Sequence, residues 1–144
     1  LVLPPGVAMT FEYSEIESAW VEAAAAAAID VFSMNASPGR TLGSSFQAST
    51  TRVVDLHYTA TASCTSTLLA GQAGSVELRI GPTSTPTTVA GAVGCSASGV
   101  VVTTANTGQL NVALPVGWYA VIANVTTTGA PTLSLSAVQL EQAR

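Results

Sequence analysis

The chain has no lysine and little charge of either sign. Only 8% of its 144 residues are charged, with four arginines against eight acidic residues and a formal net charge of −4 at pH 7. In soluble domains about a quarter of all residues are typically charged. Nucleic-acid binding depends on basic side chains that neutralise phosphates, so nucleic acid is not an expected partner. Low charge together with 48% hydrophobic residues indicates that part of the surface is covered by other chains.

Residue types that carry chemistry are also scarce. His57 is the only histidine, and the acidic residues are scattered singly along the chain. No phosphate-binding loop and no nucleophile elbow occurs. A metal site or a nucleophile–base pair would need further ligands or a positioned partner. We therefore expect no catalytic, cofactor-binding or metal-binding residues and no enzymatic activity, and we interpret His57 as a surface or interface histidine.

Cysteine is nearly absent. Cys64 and Cys95 are the only two, which is too few for a disulfide scaffold or for a zinc site. Two interpretations stay open: a pair of buried thiols, since buried cysteine behaves as a small hydrophobic residue, or a single disulfide.

Long hydrophobic runs are missing as well. No stretch of the chain is long enough to span a membrane, and the first residues lack the basic start and the apolar run of a signal peptide. A membrane is therefore not an expected partner.

What the chain does have, from residue 40 onward, is alternation of apolar and polar residues. Val54, Leu56 and Tyr58, for example, alternate with Asp55 and His57. A period of two is typical of half-buried strands. The predicted strands are 52–64, 75–81, 87–93, 99–104, 108–115, 117–125 and 131–140, with turns at 70–74, 81–86, 105–108 and 128–131. This pattern predicts a mainly β fold, with an antiparallel, jelly-roll-like β-sandwich over residues 39–144.

The sequence predicts that residues 1–38 form a separate attachment segment, which begins with an extended arm. Pro4 and Pro5 exclude a helix at residues 1–13. The apolar side chains near the start need a groove on a partner to bury them. The predicted attachment residues are Leu1, Val2, Leu3 and Trp20.

The arm leads into a predicted Ala-rich α-helix over about 15–32. Ser14 and Glu17 form a capping box, and the breaker at 35–39 ends the helix. Ala23 and Ala27 share one face with Trp20, and small residues there permit close packing. Two interpretations stay open: the helix lies on its own domain, or it packs around a symmetry axis or against a neighbouring subunit.

The predicted strand 117–125 is apolar on both faces. A strand of an antiparallel sandwich should be polar on its outward face. The second face, which carries Tyr119 and Val121, therefore meets the helix or another subunit. We predict a subunit interface that includes Tyr119, Val121, Ala23 and Ala27.

Two further pairs have structural interpretations. Glu77 and Arg79 lie two residues apart on one strand face. We expect them to form an ion pair that contributes little to the free energy of folding. Trp118 and Tyr119 point to opposite faces, so we expect one of these rings in the core rather than both in a sugar-binding site.

Several short segments, taken in order, resemble a small β-domain of the structural proteins of tailed bacteriophages. Residues 40–49 (RTLGSSFQAS) and 54–58 (VDLHY) resemble its opening, and the later parts match GQAG at 71–74, VELRI at 76–80 and PVGWY at 115–119. The resemblance covers residues 40–144. It implies a component of the phage particle, commonly a trimeric knob or fibre end, and it implies no catalytic residue.

These observations together predict a non-enzymatic surface protein of the virion. Its β-knob would be a homotrimer anchored by the N-terminal segment to another virion protein, such as the major capsid protein, as a capsid decoration, cement or short head-fibre protein. The alternative is a tail-fibre knob, attached to a tail or fibre protein, that recognises a host surface glycan. The Thr-rich segments 83–88 and 126–128 could contact such a glycan, although solvated hairpin loops are the simpler interpretation.

Overall fold

The computed structural model describes residues 34–144, and Met34–Ala143 form one compact unit. Every regular element among these residues is a strand. The strands are β1 (Met34–Ala36), β2 (Ser45–Gln47), β3 (Val54–Ser66), β4 (Gln72–Gly81), β5 (Thr88–Ala97), β6 (Val102–Leu114), β7 (Tyr119–Thr128) and β8 (Thr132–Ala143). The predicted mainly β fold is confirmed. The predicted arm at 1–13 and Ala-rich helix at 15–32 lie outside the described residues.

The strands form two four-stranded antiparallel sheets. Sheet A has the order β1-β8-β3-β6 and sheet B the order β2-β7-β4-β5. Strands pair outward from the connection between β4 and β5: β4 pairs with β5, β3 with β6, β2 with β7 and β1 with β8. The chain therefore follows the path of one long hairpin whose tip is that connection. Further pairing of β3 with β8 and of β4 with β7 closes the hairpin into a sandwich.

The core lies between the sheets, and β3 contributes most to it. Residues of β3 from Val54 to Ala62 alternate between buried and half-buried positions, and Leu56, Tyr58 and Ala60 have no exposed area. Leu78 of β4 and Ile122 of β7 face them across the interior. The predicted inward face of this strand is confirmed, since the apolar residues at every second position are the ones removed from water.

One predicted turn is wrong. Residues 105–108, expected to separate two strands, lie inside β6, which pairs with β3 along its whole length. Gly108 is not a turn residue here. A Cβ atom at this position would lie 2.9 Å from Cγ2 of Val93, so glycine allows Val93 of the facing sheet to approach the β6 backbone.

The edge strands β1 and β2 were not predicted. They are three residues long, too short to show alternation. Because β1 pairs with β8, the described part of the sandwich includes Met34–Ala36. Similarly, the predicted loop at 126–128 belongs to β7, whereas the Thr-rich segment at 83–87 is a loop as expected.

A disulfide between Cys64 and Cys95 joins the two sheets. Cys64 lies on β3 of sheet A and is fully buried, and Cys95 lies on β5 of sheet B. Their Cα atoms are 5.7 Å apart, a separation that a disulfide spans without backbone movement. Of the two interpretations that the sequence left open, the structure has the disulfide.

We expect the disulfide to contribute strongly to stability. It closes a loop with a sequence separation of 31 residues, and a loop of that length corresponds to about 3–4 kcal/mol in the chain-entropy model. Replacement of both cysteines by alanine should lower the free energy of unfolding by about this amount in denaturant titrations. The reduced wild-type protein should show a similar loss, and equal stability of oxidised and reduced protein would contradict the prediction.

Candidate functional site

The outward face of β7 is the predicted interface surface, and the structure confirms its two-sided character. Ala120 and Ile122 are fully buried in the core, while Tyr119, Val121 and Ala123 alternate with them and are half-buried on the opposite face. Val121 lies between Arg79 of β4 and Ser45 of β2 on this face. Three apolar residues at successive outward positions are unusual for an antiparallel sheet that faces water.

The charged residues beside this stripe neutralise each other. The Nε atom of Arg79 donates to Oε1 of Glu77 at 2.8 Å, and the Arg79 Nη2 atom is 2.7 Å from the same oxygen. The hydroxyl of Ser75 donates to the second carboxylate oxygen of Glu77 at 3.3 Å. The predicted ion pair is thus confirmed, and it leaves this region of sheet B without net charge.

The other predicted interface and attachment residues cannot be placed beside this face. Leu1, Val2, Leu3, Trp20, Ala23 and Ala27 all lie outside the described residues. The part of the predicted surface that the structure contains is the Tyr119–Val121 stripe alone.

A second feature, which the sequence analysis missed, is an ion pair between the half-buried Arg40 and the buried Glu141. Arg40 lies in the connection from β1 to β2, and Glu141 lies on β8 with only 5% of its surface exposed. Two parallel hydrogen bonds join them, from Nε to Oε2 at 2.6 Å and from Nη2 to Oε1 at 2.8 Å. This bidentate arrangement is the strongest form of an arginine–carboxylate contact.

Aromatic residues complete this cluster. The hydroxyl of Tyr58 donates to Oε2 of Glu141 at 2.6 Å. The guanidinium of Arg40 lies 4.0 Å from the ring centre of Phe46, within the range of a cation–π interaction. Phe46 in turn contacts Tyr58 edge to face, with ring centres 6.5 Å apart. Each polar atom of the carboxylate therefore has a partner, as burial of a charge requires.

The backbone around Arg40 is held by Gln139. The amide of Arg40 donates to Oε1 of Gln139 at 2.8 Å, and Nε2 of Gln139 donates back to the Arg40 carbonyl at 2.9 Å. The amide of Ser37 donates to the Gln139 carbonyl at 2.6 Å. One buried glutamine on β8 thereby fixes the connection between the first strands of the two sheets.

The electrostatics of the cluster favour a structural role. Burial, together with the hydrogen bond to Glu141, raises the pKa of Tyr58 far above its ordinary value of 10.0. The hydrogen bond to Glu141 also raises the pKa of Arg40. Tyr58 therefore stays a neutral donor and Arg40 a cation at all ordinary pH values. In these states both side chains serve as fixed hydrogen-bond donors to the Glu141 carboxylate.

Residues of the segment 40–47 and of the segment 115–119 thus have packing roles. Arg40 pairs with Glu141, Leu42 and Phe46 pack against the core, and Nε2 of Gln47 donates to the Gly117 carbonyl at 2.6 Å. Trp118 packs against the core too, as expected for one ring of the Trp118–Tyr119 pair. The one sign of the Arg40 cluster in the sequence is Glu141, an acidic residue at an inward-facing position of the last strand.

His57 lies on the outward face of sheet A. It is half-buried, and its Nδ1 atom is 3.2 Å from Oδ1 of Asn111 on β6. Among the described residues no group of three or more histidine, cysteine or acidic side chains could hold a metal ion. In the same part of the chain no helix has the length and hydropathy needed to cross a membrane.

We predict that the arginines of the two ion pairs contribute very differently to stability, because Glu141 is more deeply buried than Glu77. Arg40→Ala leaves the buried Glu141 carboxylate without its cation, which should cost about 3–5 kcal/mol. Arg79→Ala, the matched control, removes a more exposed pair and should cost less than about 1 kcal/mol. Urea titrations of both variants measure the two losses. Equal losses would show that the Arg40 cluster is not a stabilising centre.

The raised pKa of Tyr58 predicts an alkaline effect. Above about pH 10 the unfolded chain loses the Tyr58 proton and the folded protein keeps it, so the stability that this group provides is complete below that pH and falls above it. Tyr58→Phe should be less stable at neutral pH, and its deficit should shrink by up to about 1.4 kcal/mol per pH unit above pH 10. Melting curves across this range test it, and parallel pH profiles of the two proteins would contradict it.

Comparisons of the chain with protein-family models, with curated proteins and with solved structures found no match.

Proposed function

We propose that this protein is a non-enzymatic surface component of a tailed-phage particle, present as a homotrimer whose β-sandwich forms a knob. Its N-terminal segment anchors it to the major capsid protein as a decoration, cement or short head-fibre protein. The observation that carries the proposal is the outward face of β7. Tyr119, Val121 and Ala123 give sheet B a second, half-buried apolar face, and a contiguous apolar patch on a protein surface marks an interaction site.

The strand order supports the proposal that this protein is a component of a phage particle. The orders β1-β8-β3-β6 and β2-β7-β4-β5 are those of a jelly roll, an architecture that recurs in viral capsid and lectin domains. This argument is an analogy between folds, because one fold serves many functions. It agrees with the resemblance of residues 40–144 to phage structural proteins.

The disulfide supports a location outside a reducing cytoplasm. Disulfides form and persist in oxidising surroundings, including the surfaces of virions and cells. Cys64 and Cys95 join the two sheets of the knob, so the bridge stabilises the part of the protein that would face the medium.

The state of the charged residues supports a structural function over catalysis. Arg40 and Glu141 are paired with each other, and Tyr58 donates to the same carboxylate. Glu77 and Arg79 form a second pair on the surface. Each of these groups has a contact that accounts for it without a substrate.

One observation favours the alternative, a tail-fibre knob that recognises a host glycan. The outward face of sheet A carries hydroxyl and amide groups from facing strands. Thr61 and Thr107 hydroxyls are 2.8 Å apart, those of Thr65 and Thr103 are 3.1 Å apart, and Gln109 donates to Thr59 at 3.0 Å. Such a face can hydrogen-bond sugar hydroxyls, although its groups already bond to one another.

Val121→Asp tests the assembly. We expect the wild-type protein to be a trimer in light scattering and Val121→Asp to be a monomer, because the variant buries a charge between subunits. Arg79 lies opposite residue 121, so the isolated knob should tolerate the aspartate. Val138→Asp is the matched control, since Val138 on β8 is 79% exposed. A wild-type monomer, or a trimer of Val121→Asp, would contradict the proposed interface.

Location on the particle separates the two candidate functions. A density map of intact particles should place the knob across the capsid lattice if it is a decoration protein and at the tail if it is a receptor-binding knob. Its absence from purified particles would contradict both.

A further inference from the structure

The edges of the two sheets differ in how their backbone groups are covered. In the described part of the chain each sheet has one short and one long edge strand. The short ones are β1 in sheet A and β2 in sheet B, with three residues each. Very short edge strands limit pairing with other chains. The long ones are β6 in sheet A, with 13 residues, and β5 in sheet B, with 10 residues.

The edge of β5 is protected in two ways. Its pairing with β4 shifts register once, and such an irregularity hinders the addition of a further strand. In addition, side chains of β6 occupy backbone carbonyls of β5. Nδ2 of Asn106 donates to the Gly94 carbonyl at 2.6 Å, and the Thr104 hydroxyl donates to the Ser96 carbonyl at 3.1 Å.

The edge of β6 has none of these protections within residues 34–144. β6 pairs with β3 in one unbroken register from Val102 to Leu114, and it contains no charged residue and no proline. In an antiparallel pair every second residue turns its N–H and C=O away from the partner strand, so about half of the residues of β6 direct these groups outward. No other strand of the described structure pairs with them.

The polar side chains of β6 leave this row of backbone groups uncovered. Those on the outward face of sheet A lie within hydrogen-bond distance of side chains on β3: Thr103 of Thr65, Thr107 of Thr61, Gln109 of Thr59 and Asn111 of His57. Those on the inward face, Thr104 and Asn106, bond to β5. Because these side chains are directed to neighbouring strands, their bonds do not occupy the outer N–H and C=O groups of β6.

A free strand edge of this kind accepts an extended polypeptide backbone as an added strand, and the composition of β6 suits a second copy of itself. In a pair related by a two-fold axis, each strand meets its own sequence in the reverse direction. Charged residues near the axis would then meet their own like charges, which is unfavourable. β6 has no charge, and its outward threonines already form hydroxyl contacts of 2.8 Å and 3.1 Å with threonines of a neighbouring strand.

We propose that β6 of one copy pairs with β6 of a second copy in antiparallel orientation. The two A sheets then form one continuous sheet with the strand order β1-β8-β3-β6-β6-β3-β8-β1. This contact is distinct from the proposed trimer contact, because β6 belongs to sheet A and β7 to sheet B. It goes beyond the proposed function, since it does not require the trimer. On a particle it would join neighbouring knobs.

The contact should be weak in dilute solution and stronger where copies are crowded. Pairing replaces backbone hydrogen bonds to water by hydrogen bonds to the second copy, so the net gain per bond is small. Association of two molecules also has an entropic cost. Copies held side by side on one surface meet at an effective concentration of about 1 mM, which reduces this cost. Dilute light scattering therefore reports the trimer, and concentrated samples report the β6 contact.

Sedimentation of the oxidised full-length chain at concentrations up to about 1 mM tests the proposal. We expect the mass of the wild-type species to double as the concentration rises. Ala105→Lys puts a charge on the outward face of β6 and removes no hydrogen bond of a side chain. It should raise the dissociation constant by more than about tenfold, because lysine on an edge strand hinders pairing and each copy contributes one.

Thr132→Lys is the matched control. Ser63 of β3 pairs with Ala105 on one side and with Thr132 of β8 on the other, so the two lysines would lie on the same face and at the same height of sheet A. Residue 132 is two strands away from residue 105, about 10 Å. This variant should therefore associate as the wild type does.

Hydrogen exchange locates the contact. The amides of β6 that face away from β3 should exchange more slowly in concentrated than in dilute wild-type protein, because pairing with the second copy protects them. The amides of β3, which has a partner strand on each side, should be protected at both concentrations. In Ala105→Lys the outward amides of β6 should exchange rapidly at both concentrations.

Four results would overturn the proposal: a wild-type mass that does not change with concentration; equal association of Ala105→Lys and the wild type; an equal loss of association in Thr132→Lys; or outward amides of β6 that are already protected in dilute samples, which would mean that another segment of the chain covers this edge.

Val121→Asp separates the β6 contact from the trimer. Its monomers should still pair in concentrated samples, and a monomer at all concentrations would show that association depends on β7 and would overturn the β6 contact. A wild-type monomer that pairs only when concentrated would contradict the proposed trimer alone. A wild-type trimer that never associates further would contradict the β6 contact alone.

Discussion

The buried carboxylate of Glu141 constrains how the sandwich closes. A charge with 5% of its surface exposed is tolerated only when a cation and hydrogen-bond donors surround it. Arg40 and Tyr58 supply them, and Arg40 belongs to the connection that carries the chain from sheet A to sheet B. The contacts of this one carboxylate therefore hold the connection in place. Phe46 lies against the guanidinium of Arg40, and the edge strand β2, which follows the connection, pairs with β7.

Within residues 34–144 two ion pairs stand out, Arg40 with the buried Glu141 and Glu77 with Arg79 on sheet B. Sheet B presents Tyr119 and Val121 outward beside the Glu77–Arg79 pair. The outward apolar stripe therefore lies beside charged groups that already bond to each other.

Periodicity predicted the long strands well and the short ones not at all. The inward face of β3 and the two-sided β7 follow directly from alternation, because position in a pleated strand decides which side chains are buried. The three-residue strands β1 and β2 are too short to show that signal. The glycine at 108 resembled a turn residue, yet it serves the close approach of Val93. Local sequence does not distinguish these uses of glycine, because the neighbour that requires it lies on another strand.

The sequence by itself determined the class of this protein: a β-rich chain poor in charge, with an outward apolar stripe at Tyr119 and Val121. Only the tertiary structure decided that Cys64 and Cys95 form a bridge and that Arg40 and Glu141 pair. Each of these depends on residues far apart in the chain meeting in space. Alternation reports which face of a strand is buried, whereas the partners across that face follow from sheet order and register.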